Sequence, residues 1–192
     1  MKSTLIRVLC VALLLTPLTV QAAGKKKKTK KKPQATLKVG EKAPDLKIKD
    51  QKGKLISLSK LLKDGPVLVR LTCGCAGCDK ELAYFQAMHR AYKGKGLTSL
   101  AIFREPDSKV AKYAKTKKLN MLYAVDPKGN SWKIFGTKTM PSNFLIGQDG
   151  RVRGIALGCD PSGLIAQSLS KKIAKELKTE KIDVQKKVKQ KK

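Results

Sequence analysis

The chain has 192 residues, of which 43 are Lys or Arg and 14 are Asp or Glu, so its formal net charge at pH 7 is +29. This length argues against two domains and favours one domain with tails. The hydrophobic fraction of 41% allows a compact core. Much of the charge lies in two lysine-rich segments, one near each end, so the middle of the chain has an ordinary globular composition.

Residues 1–22 have the pattern of a signal peptide for export. Lys2 and Arg7 give a positive start, residues 8–15 are apolar, and Val-Gln-Ala at 20–22 has cleavage-site spacing. The apolar run is too short to span a bilayer comfortably, although an uncleaved anchor is the alternative. Cys10 lies inside this segment and is expected to be absent from the mature protein. We therefore expect a periplasmic, cell-envelope or secreted location.

Residues 23–38 are predicted to be a disordered, lysine-rich linker, because like charges at this density repel and hydrate. Strands are predicted at 46–49, 55–58, 67–72, 97–103, 121–125, 144–146 and 152–157, and helices at 79–92, 108–117 and 162–177. The first two strands flank a hairpin-like turn. The alternation predicts an α/β sheet with helices on both faces. Residues 179–192 are predicted to be a basic C-terminal tail.

Removal of the signal peptide would leave four cysteines: Cys73, Cys75, Cys78 and Cys159. An even number in an exported protein permits disulfides. The first three are so close that a bridge between them closes a tiny loop and stabilises little. Their spacing therefore indicates chemistry rather than structural crosslinks.

Cys75 and Cys78 form a C-x-x-C pair where a buried strand meets a helix. At a helix N-terminus the unpaired N–H groups and the helix dipole favour a thiolate, which suits Cys75 as the nucleophile. Cys78 lies one helical turn away and can resolve a mixed disulfide. The pair predicts a thiol–disulfide oxidoreductase.

The chain resembles the thioredoxin superfamily, in particular its exported TlpA-like and redoxin branch, which is related to AhpC/TSA proteins. The resemblance covers residues 39–177 and is carried by Gly-Glu-Lys-Ala-Pro-Asp at 40–45, Pro-Val-Leu-Val at 66–69, the C-x-x-C pair, Met-Pro-Ser-Asn-Phe-Leu-Ile at 140–146 and Gln-Asp-Gly-Arg-Val at 148–152. It implies a thioredoxin-like domain at 39–178, with a central mixed β-sheet flanked by helices and an N-terminal β-hairpin extension.

The resemblance also implies roles for residues outside the cysteine pair. Pro141 would follow a cis peptide bond and face the disulfide, and Met140 would contact the bound substrate chain. Gly74 departs from the family, which usually has an aromatic residue there. Arg70 stands where thioredoxins carry a buried acid or amide, and we hypothesise that it lowers the pKa of Cys75. The alternative is that Arg70 pairs with an acid such as Glu105 or Asp126.

Cys73 and Cys159 are additional to the family pattern. Gly158 matches a family glycine that borders the active site, so the resemblance places Cys159 near Cys75. Cys73 and Cys159 could form a second disulfide or a relay pair, could join the other two in binding zinc or an iron–sulfur cluster, or could be inert. The auxiliary redox role is favoured, because C-x-C-x-x-C is tight for a tetrahedral metal site. No cofactor and no metal are therefore predicted.

Two other functions compete with disulfide exchange. A thiol peroxidase would share the segment at 40–45 and a threonine three residues before its cysteine, here Thr72. Leu68 and Pro141 count against it, since they replace the proline and arginine of that family. An envelope binding protein would use the basic tails, together with a cysteine-ligated metal site.

The expected partners follow from these alternatives. They are protein disulfides, a thiol electron donor and, for the lysine-rich tails, an anionic envelope surface. Export makes nucleic acid an unsuitable partner, and a monomer is expected.

Overall fold

The computed structural model describes residues 36–50 and 52–190. The predicted signal peptide, Cys10 and most of the predicted lysine-rich linker lie outside these residues. Within them, no helix is both long enough and apolar enough to cross a membrane.

The N-terminal hairpin consists of β1 (Lys47–Lys49) and β2 (Leu55–Ser57), which pair antiparallel. The second strand ends earlier than predicted, because the Ser57 side chain accepts the N–H of Lys60 and so begins helix α1 (Leu58–Leu61). The hairpin forms its own sheet, and Asp50 makes one isolated bridge to the main sheet at Ala124. It is therefore an extension of the domain, as predicted.

The main sheet has five strands in the order β5-β4-β3-β6-β7. The strands are β3 (Val67–Thr72), β4 (Thr98–Phe103), β5 (Leu122–Val125), β6 (Ser142–Ile146) and β7 (Val152–Leu157). Strands β3, β4 and β5 run parallel, and β6 is antiparallel to both of its neighbours. The sheet is mixed, and β3 lies at its centre.

Helices cover both faces of this sheet. The remaining helices are α2 (Ala76–Tyr92), α3 (Asp107–Thr116), α4 (Asn130–Ile134), α5 (Leu164–Glu176) and α6 (Val184–Lys189). One core cluster joins the hairpin, α1 and α4 to the sheet, and the other joins α2, α3, α5 and α6 to the opposite face. Because side chains alternate along a strand, Val67, Val69 and Leu71 face the first cluster. Leu68 faces the second, and Arg70 shares its side of the strand.

The ordered domain extends past both predicted limits. At its start, Thr36 donates its N–H to the carbonyl of Gly136 over 2.9 Å, although residues 23–38 were expected to be disordered. At its end, α6 lies within the predicted basic tail. Val184 is fully buried there, and Asp183 caps the helix by accepting the N–H of Lys186. The buried valine, the cap and the hydrogen bond from the Val184 N–H to Gln167 order a segment whose composition is otherwise basic.

Candidate redox site

Strand β3 carries the cysteine segment to the edge of the sheet where the carboxyl ends of the parallel strands meet. All six residues of β3 are buried, and helix α2 begins three residues after Cys73. Cys75 is the N-cap residue of α2, with extended backbone angles, and its carbonyl accepts the N–H of Asp79. Glu105 anchors the intervening turn by accepting the N–H of Gly74 over 2.8 Å. Cys75 is therefore held at the N-terminus of a helix of 17 residues.

Three of the cysteines bring their sulfur atoms together. The Sγ atom of Cys73 lies 2.7 Å from that of Cys75 and 3.3 Å from that of Cys78. All three sulfurs lie within 4.8 Å of one another. Cys75 is exposed, Cys73 is half-buried and Cys78 is buried, and each is a free thiol. The cluster thus opens to solvent at Cys75 and reaches inward to Cys78.

The local hydrogen bonds favour a thiolate at Cys75. The thiol of Cys73 donates to the sulfur of Cys75, and this contact is the main reason why the pKa of Cys75 falls below its ordinary value. The backbone N–H of Cys78 adds to the effect. Burial raises the pKa of Cys73, so Cys73 keeps the shared proton. The two thiols have complementary roles, one as hydrogen-bond donor and the other as acceptor.

A buried ion pair lies directly behind the cluster. The guanidinium of Arg70 contacts the carboxylate of Glu81 at 2.9 Å, and the two side chains are 4% and 1% exposed. The same guanidinium donates to Asn143 Oδ1 at 2.9 Å and stacks 4.0 Å above the ring of Phe85. It also lies 3.5 Å from the carbonyl oxygen of Cys78. Arg70 is thus fully engaged on the face of the sheet that α2 covers.

The acid that pairs with Arg70 is different from the two that were considered. Glu105 accepts the N–H of Gly74, and Asp126 accepts the N–H of Ser131. Sequence reasoning missed Glu81, although it lies one helical turn after Cys78 on the buried side of α2. Since Glu81 neutralises the charge of Arg70 nearby, a direct effect of Arg70 on the pKa of Cys75 stays a prediction.

The loop before β6 lies beside the cysteine segment. The bond between Met140 and Pro141 is cis, which confirms the prediction. Leu71 pairs with Ser142, so continuing this register places Pro141 and Met140 alongside the residues that follow Leu71 in the chain. Pro141 is buried and Met140 is half-buried. The substrate-binding role of Met140 and Pro141 stays a prediction.

Cys159 reaches the same edge but does not join the cluster. It follows β7, and the carbonyl of Pro141 accepts the N–H of neighbouring Gly158 over 2.9 Å. Its thiol is exposed and donates to the carbonyl of Gly77 over 2.8 Å. The four cysteines within the described residues thus lie at one end of the sheet, as expected. Cys73 contacts the sulfurs of Cys75 and Cys78, whereas Cys159 contacts the carbonyl of Gly77, so the second disulfide or relay between Cys73 and Cys159 stays a prediction.

Tyr113 is a further neighbour that sequence reasoning missed. Its ring packs against Gly74, where an added Cβ atom would meet the ring at 3.3 Å. Its hydroxyl donates to Asp79 in the first turn of α2. An aromatic side chain from α3 therefore covers the position at which the family usually carries its own aromatic residue.

A mixed five-stranded sheet, a C-x-x-C pair at a helix N-terminus and a cis-proline loop beside it define a thioredoxin-like redox protein. The chain belongs to the AhpC/TSA family, whose model matches residues 39–155. It is 32% identical over 117 residues to the thiol-disulfide oxidoreductase ResA of Bacillus thuringiensis subsp. konkukian, an alignment that covers 60% of this chain and 68% of that one. The ResA of Bacillus subtilis is 27% identical over 128 residues, or 66% of this chain and 71% of its own.

Solved structures support the same fold. A protein from Chlorobium tepidum, provisionally assigned as the thiol:disulfide interchange protein DsbE, superposes with a TM-score of 0.68 at 26% identity, covering 74% of this chain and 99% of its own. The peroxidoxin BcpB from Mycobacterium tuberculosis gives a TM-score of 0.61 at 25% identity, covering 74% and 97%. The fold is therefore shared by proteins named for disulfide exchange and by one named as a peroxidoxin.

Proposed function

We propose that this protein is a thiol–disulfide oxidoreductase acting on protein disulfides, with Cys75 as the nucleophile and Cys78 as the resolving thiol. The observation that carries the proposal is the environment of Cys75. Its sulfur is exposed at the start of α2 and accepts a hydrogen bond from Cys73, which stabilises the thiolate. The buried thiol of Cys78 lies in the same sulfur cluster and can attack Cys75 in turn.

The reaction proceeds in two exchanges of sulfur–sulfur bonds. The Cys75 thiolate attacks one sulfur of a substrate disulfide, and the other sulfur leaves and takes up a proton. The thiol of Cys78 then loses its proton and attacks Cys75, which forms the Cys75–Cys78 disulfide and releases the substrate with two more electrons. In the reverse direction the protein oxidises its substrate, and the reduction potentials of the two couples set the direction.

The surrounding residues position these atoms. The Arg70–Glu81 pair lies behind Cys78 and holds the first turn of α2, because Arg70 reaches the carbonyl of Cys78. Met140 and Pro141 would bind the substrate backbone beside the sulfurs. Cys73 would act as an auxiliary thiol that donates its proton toward Cys75.

We also propose where the protein acts, in which oligomeric state, and what reduces it. The protein is exported and works as a monomer outside the cytoplasm, where an unidentified thiol donor reduces it. The lysine-rich ends attach it to anionic envelope surfaces, each lysine near such a surface contributing about 1 kcal/mol. Co-sedimentation with anionic and neutral vesicles, for the whole chain and for a variant lacking residues 25–32, tests the attachment.

A peroxidase is the second candidate, since the fold is shared with a peroxidoxin. The geometry favours disulfide exchange. The Thr72 hydroxyl donates to the carbonyl of Cys73, and Pro141 stands where a peroxidase would carry its arginine. We therefore expect reduced protein to consume hydrogen peroxide far more slowly than it reduces a disulfide peptide.

A redox titration tests the main proposal. The protein is equilibrated across a glutathione and dithiothreitol series, free thiols are trapped by alkylation, and each cysteine is assigned by mass spectrometry. We expect one two-electron transition at Cys75 and Cys78, and a trapped Cys75–substrate disulfide in Cys78→Ser. Cys159→Ser, at the same edge of the sheet, is the matched control and should keep the transition. Thiols that stay reduced across the whole series would contradict disulfide exchange.

A further inference from the structure

The sulfur cluster contains one more thiol than disulfide exchange consumes. The resting pair needs Cys75 and Cys78, yet Cys73 contacts both of them, at 2.7 and 3.3 Å. A buried, inert cysteine would pack against apolar side chains. Cys73 is half-buried and its sulfur faces two other sulfurs. The arrangement is a set of three converging soft ligands.

The number of cysteine ligands determines which metal ions this cluster could bind. Structural zinc sites take four ligands in a tetrahedron, and iron–sulfur clusters also take four cysteines. Within the described residues, the one group of three or more potential metal ligands around these cysteines is Cys73, Cys75 and Cys78. Cys159 could supply a fourth sulfur, but its thiol donates instead to the carbonyl of Gly77. Three thiolates without a fourth protein ligand suit a soft monovalent ion, and Cu(I) is among the metals that thiolates select.

We propose that the reduced protein binds one Cu(I) ion through the sulfurs of Cys73, Cys75 and Cys78. The tight C-x-C-x-x-C spacing, which argues against a tetrahedral site, is no obstacle here. A three-coordinate ion needs only three sulfurs within reach of one point, and these already lie within 4.8 Å of one another. Binding replaces up to three thiol protons with one cation, so protons leave as the ion enters.

The surroundings suit such a site. Cys75 is exposed, which leaves an entry path for the ion, while Cys78 is buried and anchors the inner side. Three thiolates around one monovalent cation carry a net negative charge. The N-terminus of α2, a helix of 17 residues, faces that charge with the positive end of its dipole.

The proposal shares its sulfurs with the proposed disulfide exchange, and this has a direct consequence. A Cys75–Cys78 disulfide removes two ligands, so oxidation of the pair by a substrate disulfide releases the ion. Conversely, a bound Cu(I) ion occupies the nucleophile and blocks exchange. Metal binding and exchange therefore exclude each other.

Anaerobic competition with a colorimetric Cu(I) chelator, bathocuproine disulfonate, tests the site. The whole chain is used, with Cys10→Ser in every variant so that only the four described cysteines can bind. We expect one Cu(I) per reduced chain, X-ray absorption showing three sulfur neighbours, and no retention after oxidation of the Cys75–Cys78 pair. Cys73→Ser should weaken Cu(I) binding by roughly 100-fold or more. Loss of a residue that only hydrogen-bonds to a metal ligand costs less, about 10–100-fold in metal affinity. The matched control Cys159→Ser should bind within about twofold of the parent.

Each other outcome counts against the site. Loss of Cu(I) to the chelator from the parent protein, or equal binding by Cys73→Ser, overturns it. An equal loss in Cys159→Ser overturns the three-sulfur assignment, as does tighter binding of Zn(II) with four sulfur neighbours. Circular dichroism of Cys73→Ser separates loss of a ligand from loss of the fold. Because the redox titration is run without metal, disulfide exchange can fail or succeed independently of this result.

Discussion

The loop after β3 and the loop after β7 bring free thiols to the same edge of the sheet, yet they place them in opposite hydrogen-bonding roles. The sulfur of Cys75 accepts a hydrogen bond from another thiol, whereas the thiol of Cys159 donates one to the carbonyl of Gly77. Accepting favours the thiolate and donating favours the thiol. Both residues are exposed, so the difference lies in their partners rather than in access to solvent.

The two loops are nevertheless tied together through one buried side chain. Glu81 accepts from Arg70 with one carboxylate oxygen and from the N–H of Asp160 with the other, at 2.9 and 2.7 Å. The helix that bears Cys78 and the loop that bears Cys159 therefore share a support. Their thiols nevertheless have different hydrogen-bonding partners, so we expect their reactivities to differ although they lie at the same sheet edge.

The largest difference should appear between two variants that each lack one thiol, Cys75→Ser in the first loop and Cys159→Ser in the second. Cys75→Ser is expected to lower the rate of reduction of a fluorescent disulfide peptide by on the order of 1,000-fold, because it removes the nucleophile. Cys159→Ser should leave that rate within about twofold, since its thiol contacts none of the three clustered sulfurs. A comparable loss in both variants would make Cys159 part of the exchange machinery.

Glu81→Gln tests the buried carboxylate that connects the two loops. This change leaves the Arg70 guanidinium buried without a countercharge, and we expect the free energy of unfolding to fall by about 3–5 kcal/mol. Asp79→Asn on the same helix is the control, because the Asp79–Lys117 pair is partly exposed at 29% and 39%. Its loss should cost about 1 kcal/mol or less. Urea denaturation of both variants measures the difference, and equal costs would contradict the buried ion pair.

The difference in protonation between the two loops can be measured directly. Hydrogen bonds lower the pKa of Cys75, whereas burial and then the charge of Glu81 raise the pKa of Cys159. At pH 7, which is below ordinary thiol pKa values, Cys75 should hold the larger thiolate fraction and react with iodoacetamide about tenfold faster. Mass spectrometry of briefly labelled protein measures both rates.

A variant without the Cys73 thiol sharpens the same measurement. Cys73→Ala removes the donor to Cys75 and should slow alkylation of Cys75, while the rate at Cys159 stays unchanged. If Cys75 in this variant reacted as fast as before, the hydrogen bond from Cys73 would not be what lowers its pKa.

The smallest effect, on stability alone, should come from removing a hydrogen-bond acceptor in the loop after β7. The Asp160 carboxylate accepts the N–H groups of Ser162 and Ile165, at 3.0 and 2.7 Å, ahead of α5. Asp160→Ala should lower stability by about 1 kcal/mol, as loss of a helix-capping acceptor does. Exchange at Cys75 should be unaffected, and thermal denaturation with the peptide assay checks both. A parallel fall in exchange would show that the two loops act as one unit.

Local patterns were enough to predict much of this molecule. The apolar run of β3, the helix after Cys78 and the hairpin near the N-terminus all follow from periodicity and turn residues. The Met140–Pro141 motif indicated a cis bond by resemblance, and the structure has one. The end of the domain was predicted too early, since helix α6 is held by tertiary contacts of Ile182, Val184 and Gln185 that its basic composition does not indicate.

The sequence by itself determined the fold class, the cysteine pair and the strand that delivers it, because these depend on short-range spacing of side chains. Strand alternation also placed Arg70 on the same side of β3 as Leu68. Only the tertiary structure decided that α2 covers that side and offers Glu81 as the partner, because several acids at distant positions were equally available to pair with Arg70. The same packing turned Cys73 toward Cys75 and Cys78 and left Cys159 apart, since the direction of a side chain in a loop depends on neighbours that are remote in sequence.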